Sequence, residues 1–142
     1  MKTIILRGYQ GSGKTTTIRL VYDILLSRGA KIVVPRTTIM GRDFYSVVRY
    51  KGKTIYICSE GDNKNDINLH IGIAISGHII YTNQNGEKID VNINAGCDIY
   101  IGASHFADTT FISEYNPVII DKTGIKDDIC NAKDAIKIIR NI

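Results

Sequence analysis

Apolar and β-branched residues along this chain gather in short runs separated by glycine, lysine and asparagine. Residues 3–7 (Thr-Ile-Ile-Leu-Arg) form one such run and stop at Gly8, the pattern of a buried strand that feeds a glycine-rich turn. Across residues 15–27 the period changes. Ile18, Val21 and Leu25 recur at helical spacing with Leu20 and Ile24 beside them, and Arg28 and Gly29 then supply a basic last turn and a C-capping glycine. The strand signal returns over residues 31–34 and is stopped by Pro35, so residues 1–35 predict a β-α-β unit with a right-handed crossover and a sheet that begins parallel.

Further along, residues 44–50 and 54–58 read as two strands joined by a tight turn at Lys51-Gly52-Lys53, which adds an antiparallel hairpin at the sheet edge. Residues 62–66 are polar and rich in N-capping types, and Ile67, Ile71, Ala74 and Ile75 after them fall on one helix face. Between residues 78 and 94 the apolar positions keep neither the strand nor the helix period for long, and no element is assigned. Residues 97–103 and 118–120 read as buried strands, and Ala132, Ala135, Ile136, Ile138 and Ile139 mark a terminal helix over 131–142. Strands alternating with helices, without internal repeats, predict a single domain over residues 1–142 with a three-layer α/β/α sandwich and a mostly parallel sheet.

Composition narrows the classes of function. With 142 residues, 44% hydrophobic and 23% charged, the chain has the make-up of an ordinary globular domain. A net charge of +4 suits an anionic ligand, but the 18 basic residues are scattered, so nucleic acid is permitted without being indicated. Cys58, Cys97 and Cys130 are odd in number and far apart, which points to reduced thiols and away from a disulfide framework or zinc site. No apolar run approaches the roughly 18 residues of a membrane span, and a soluble, cytoplasmic protein is expected. His70, His78 and His105 are too dispersed for a metal triad, and neither a G-x-S-x-G elbow nor an H-E-x-x-H helix is present.

The chemistry concentrates at one motif. Gly8, Gly13, Lys14 and Thr15 satisfy G-x-x-x-x-G-K-[ST], with the strand before it and the helix after it that the motif requires. Glycines are needed because successive backbone N–H groups must converge on a phosphate, and a Cβ at Gly13 would obstruct the turn or the approach. The helix N-terminus adds partial positive charge, and the Lys14 ammonium reaches the β- and γ-phosphate oxygens. Thr15 offers its hydroxyl to Mg²⁺. The expected nucleotide-binding set is Gly8, Tyr9, Gln10, Gly11, Ser12, Gly13, Lys14, Thr15 and Thr16, holding ATP or GTP with Mg²⁺.

Through Gly8 to Thr15, and more loosely through residues 54–62, which look like a Walker B strand followed by acids, the chain resembles the P-loop NTPase superfamily. The segment 57–62 also resembles small nucleotide-kinase-like P-loop proteins of bacterial and phage origin. That resemblance implies the kinase and GTPase branch, in which the Walker B strand lies directly beside the P-loop strand. A usual Walker B acid would stand where Ser59 stands. Asp62 is therefore the first choice for the metal-side acid, because Gly61 permits a turn back toward the phosphates, and Glu60 the second; each is alternatively a loop acid or a helix cap.

Arg36 and Arg42 flank the segment beyond the second strand, where forked guanidinium groups suit a small phosphate-bearing acceptor. Ser104 and His105 follow a strand and should emerge at the same end. Residues 131–134 (Asn-Ala-Lys-Asp) place their lysine one position too late for the guanine-reading N-K-x-D pattern, so the base stays open. The first functional expectation is a phosphotransferase that moves the γ-phosphoryl of ATP to a nucleotide or other small acceptor, with Lys14, Asp62, Glu60, Arg42 and Arg36 as its catalytic candidates. The alternatives are a regulatory NTPase, whose segments 37–43 and 62–66 respond to nucleotide and face a protein partner, and a module that binds nucleotide without catalysis.

Overall fold

The computed structural model describes residues 1–106, 115–124 and 126–142. In chain order its elements are β1 (Lys2–Arg7), α1 (Lys14–Ser27), β2 (Lys31–Thr38), β3 (Phe44–Tyr50), β4 (Lys53–Cys58), α2 (Lys64–Ser76), β5 (His78–Thr82), β6 (Lys88–Asn92), β7 (Ile99–Ser104), β8 (Val118–Asp121) and α3 (Asp128–Arg140). Six strands form one mixed sheet in the order β2-β3-β4-β7-β1-β8, and β5 and β6 pair as a separate two-stranded sheet.

Period-two alternation divides the core between the two faces. Ile4 and Leu6, Ile55 and Ile57, and Ile99 and Ile101 face α1 and α3, where they meet Ile18, Val21, Leu25, Ala135 and Ile138. The intervening Ile5, Tyr56, Cys58 and Tyr100 face α2 and β5, where they meet Ile67, Ile71, Ala74 and Ile79. The central strands are apolar on both faces because both are covered, as expected of a sheet between helical layers.

Three features differ from the sequence expectation. The antiparallel strand is β3, but it is internal; the edge is β2, which runs on through Pro35 to Thr38. Proline donates no ladder hydrogen bond, and the register of β2 against β3 shifts on either side of Val34, so this strand is accommodated at an edge. Second, β7 pairs in parallel with both β1 and β4, so a strand lies between the glycine-loop strand and the strand that leads into Ser59. Third, residues 78–92 form the β5–β6 hairpin. Ile79 and Tyr81 alternate inward, while Ile80 between them is 55% exposed, and this outward apolar residue masks the period in the sequence. Among the described residues no helix is long and apolar enough to cross a membrane.

Candidate functional site

β1 delivers the chain at Gly8 to the carboxyl end of the parallel strands, the end at which α/β sheets bind ligands. The loop turns back with Ser12 N–H donating to Tyr9 O at 3.2 Å, and α1 starts at Lys14 with Gly13 as its N-cap at φ 95°. A side chain at Gly13 would be strained by that φ and would place its Cβ 2.8 Å from Asn131 Oδ1. No side chain caps α1 and no acid lies in its first turn, so its terminal N–H groups and dipole are open to an anion. Lys14 folds back over the loop and donates from Nζ to Gly8 O at 2.8 Å and Tyr9 O at 2.7 Å. Burial lowers the Lys14 pKa, and the negative charge of Asp62 opposes that shift.

The acid beside Thr15 is Asp43. Thr15 Oγ1 donates to Asp43 Oδ1 at 3.2 Å, and the same oxygen accepts from Ser59 Oγ at 3.0 Å. Ser59, at the end of β4, also accepts from the Phe44 N–H at 2.9 Å, which ties the start of β3 to it. Because β3 runs antiparallel to β4, its first residues arrive at the same end of the sheet as the ends of β4, β7 and β1. The turn at Met40 and Gly41, closed by Asp43 N–H to Met40 O at 3.0 Å, then sets the Asp43 carboxylate over Thr15.

Gly13, Lys14, Thr15 and Ser59 line a cavity of about 190 Å³ together with Thr16, Arg42, Asp62, His105 and Lys126, and Asp43 stands behind it, bonded to Thr15 and Ser59. Asp62 Oδ1 lies 3.4 Å from His105 Nε2, across the cavity mouth from the loop. Gly61 permits this placement: a Cβ there would stand 2.1 Å from Ala103 O, so only glycine lets the turn after β4 lie on the end of β7. Tyr9 is 73% exposed and packs against Phe106. Arg36 does not line this cavity; its guanidinium lies 5.9 Å from the centre of the Phe44 ring.

Glu60 turns the other way, toward α2, where Oε2 lies 3.4 Å from His70 Nε2 and His70 Nδ1 is 2.8 Å from Tyr56 Oη. Burial, a hydrogen bond with Asp66 and the charges of Asp66, Asp43 and Asp62 push its carboxyl up from 4.5 to about 7. The fold thus favours neutral Glu60, and this stabilisation, complete below about 4.5, is lost as pH rises through about 7. Glu60→Gln stays neutral throughout, so its stability relative to the parent should increase with pH across that window in denaturant titrations; a difference independent of pH would contradict this.

A brace that the sequence did not reveal stands behind the loop. Asn131 on α3 accepts at Oδ1 from Thr17 Oγ1 at 3.3 Å, directly beneath Gly13. Asp134, one turn on, accepts at Oδ2 from Thr123 N–H at 3.1 Å and Thr123 Oγ1 at 2.8 Å, and pairs with Lys122 at 3.1 Å, both side chains being fully buried. Asn131 therefore supports the loop, and Asp134 the segment after β8. The i, i+3 spacing of Asn131 and Asp134 on one helix face was the available signal. No protein-family model matches the chain, and no curated protein or solved structure matches it either.

Proposed function

We propose that this chain is a P-loop protein that binds ATP or GTP and transfers the γ-phosphoryl group to a small acceptor. The observation that carries the reading is the convergence of an open helix N-terminus, Lys14 and Thr15 on one cavity, with Asp43 hydrogen-bonded to Thr15. The oxygen donors of Thr15 and Asp43 fit Mg²⁺, a hard cation that keeps much of its shell as water and phosphate oxygens. Among the described residues no group of three His, Cys, Asp or Glu is placed to hold a metal. When bound, Mg²⁺ supplies Lewis-acid polarisation of the phosphoryl oxygens.

The residues divide the remaining work. Lys14 leaves the carbonyls of Gly8 and Tyr9 for β- and γ-phosphate oxygens, where charge grows as the acceptor oxygen bonds to γ-phosphorus and the bridging P–O bond breaks. Arg42 lies on the same cavity and stabilises the equatorial oxygens. Asp62 and His105, facing each other at its mouth, orient the incoming group. The interposed β7 argues against the branch in which the strands of the two motifs are neighbours.

Incubation with γ-labelled ATP, Mg²⁺ and a panel of nucleosides, nucleotides and polynucleotides tests this. Label in a small acceptor is the expected result. Label released only as inorganic phosphate would replace transfer by hydrolysis, with the Met40–Asp43 turn as the nucleotide-responsive segment. No turnover of label would refute both catalytic readings.

A further inference from the structure

A second pocket, of about 210 Å³, adjoins the phosphate cavity, and Gln10 and Gly11 line both. Its aromatic wall is Tyr9 and Phe106, whose ring centres are 4.6 Å apart. Both rings meet solvent, Tyr9 at 73% and Phe106 at 38% exposure. The pair is held in place. The Arg7 guanidinium lies 5.2 Å from the centre of the Phe106 ring and is itself fixed by hydrogen bonds to Asp121 at 2.6 and 3.1 Å.

The rest of the pocket suits an uncharged group. Among the described residues that line it, only Lys122 is charged, and its ammonium is buried against Asp134 at 3.1 Å and Thr123 O at 3.3 Å. Ser12 Oγ, from the loop wall, is buried and has no hydrogen-bond partner among the described residues. A buried hydroxyl of this kind calls for a partner, and a ligand atom in the pocket would supply it. The volume is below the roughly 300 Å³ at which sites for whole ligands begin, so the pocket takes one ring system and leaves the rest of a ligand outside.

We propose that Tyr9 and Phe106 are the docking platform for a planar heterocycle of the acceptor, which makes the acceptor a nucleoside or nucleotide. Resting on the P-loop reading above, this names the acceptor class. An exposed aromatic pair stacks a base of any identity, because every base has a π-face, and Ser12 Oγ bonds to the ring's polar edge. Lys14 decides whose ring it is. Its ammonium serves the β- and γ-phosphates and rests on Gly8 O and Tyr9 O, so the γ end of the triphosphate lies toward Tyr9. The triphosphate's own base is removed from that end by two further phosphates. His105, next to Phe106 in the chain, lines the phosphate cavity and faces Asp62, so a ring on the platform holds the remainder of the acceptor beside the group it receives.

The test is calorimetric titration of the full chain, its phosphate site filled with Mg²⁺ and tripolyphosphate, which has no base, using the common nucleosides and their 5′-monophosphates. At least one nucleoside should bind, and ribose 5-phosphate should bind at least about tenfold more weakly than the matching monophosphate, the scale of one base–aromatic stack. Tyr9→Ala and Phe106→Ala should each weaken the nucleoside by a similar factor, and Tyr9→Phe should keep it. Photolabelling of the unmodified chain with an azido derivative of that nucleoside is independent of any variant and should mark residues 8–12 or Phe106. A non-hydrolysable nucleoside triphosphate in place of tripolyphosphate should leave nucleoside binding undiminished; loss of binding there would give the platform to the triphosphate's own base and overturn the acceptor assignment. Absence of nucleoside binding, affinity indifferent to Tyr9→Ala, an equal loss of tripolyphosphate affinity in that variant, or label confined to other segments would each overturn it as well. Failure of tripolyphosphate and nucleoside triphosphate alike to bind would instead overturn the P-loop reading, and the photolabel on the chain alone would still decide the platform.

Discussion

Replacing Lys14 with alanine is expected to weaken Mg²⁺–triphosphate binding by on the order of 100-fold, equivalent to about 3 kcal/mol. The ammonium rests on two backbone carbonyls of its own loop, Gly8 O and Tyr9 O, and is thereby held over the place where the helix N-terminus presents its N–H groups. Charge-assisted hydrogen bonds to phosphate are roughly twice as strong as neutral ones, and the cavity's other cations, Arg42 and Lys126, come from separate loops. The fold should hardly change. The lost contacts are two hydrogen bonds within one loop, the one to Tyr9 O exposed, so calorimetric affinity and the denaturation midpoint should separate: a large loss in the first, about 1 kcal/mol or less in the second. Lys14→Arg should recover only part of the affinity, because a planar fork does not replace a compact charge held between two carbonyls. Equal affinity for parent and alanine variant would remove Lys14 from the site.

Asp43→Asn is expected to lower the affinity for Mg²⁺ in the triphosphate complex by roughly 10- to 100-fold, the usual scale for groups that orient or support a metal ligand. The asparagine keeps an oxygen acceptor for Thr15 and Ser59, so the geometry at the start of β3 survives while the negative charge is lost. Binding of triphosphate without Mg²⁺ should be unchanged or tighter, because a carboxylate no longer faces the phosphates. This opposite response separates a metal role from a packing role. Titrations at a series of Mg²⁺ concentrations measure both, and Asp62→Asn provides the comparison. If the Asp62 variant loses its Mg²⁺ dependence and the Asp43 variant keeps it, the two acids exchange roles.

The loop and the elements flanking it were legible because their signals are local: an apolar run, glycines at fixed offsets, then a 3.6-residue period. Asp43 was not, because its place depends on pairing. In the sequence it precedes a strand by one residue and reads as a loop acid. Only the antiparallel register of β3 on β4, which sets Tyr45 opposite Cys58, brings it beside Ser59 and so to Thr15. The hairpin was readable, and extending its register two pairs past Tyr45 and Cys58, through Phe44 opposite Ser59, would have reached the residue. Glu60 misled for a related reason: successive residues leaving a strand point to opposite faces, so the neighbour of Ser59 goes to His70 on the α2 side. The edge position of β2 and the insertion of β7 between β4 and β1 are non-local in the same way, since no short-range pattern states which strands become neighbours. Asn131 and Asp134 lay in a helix whose packing partner could not be seen, and their four-residue resemblance to a base-reading motif drew attention from their bracing of Gly13 and Thr123.

The central claim is that Gly8 to Thr15 recognises the phosphates of a nucleoside triphosphate, and one titration tests it most directly. ATP and GTP with Mg²⁺ are titrated calorimetrically into the full chain, alone and in the presence of inorganic tripolyphosphate. Saturable binding at one site per chain, displaced competitively by tripolyphosphate, is the predicted result, because the loop contacts phosphate through backbone and Lys14 and not through the base. Absence of saturable binding, or binding that tripolyphosphate leaves untouched, would contradict it.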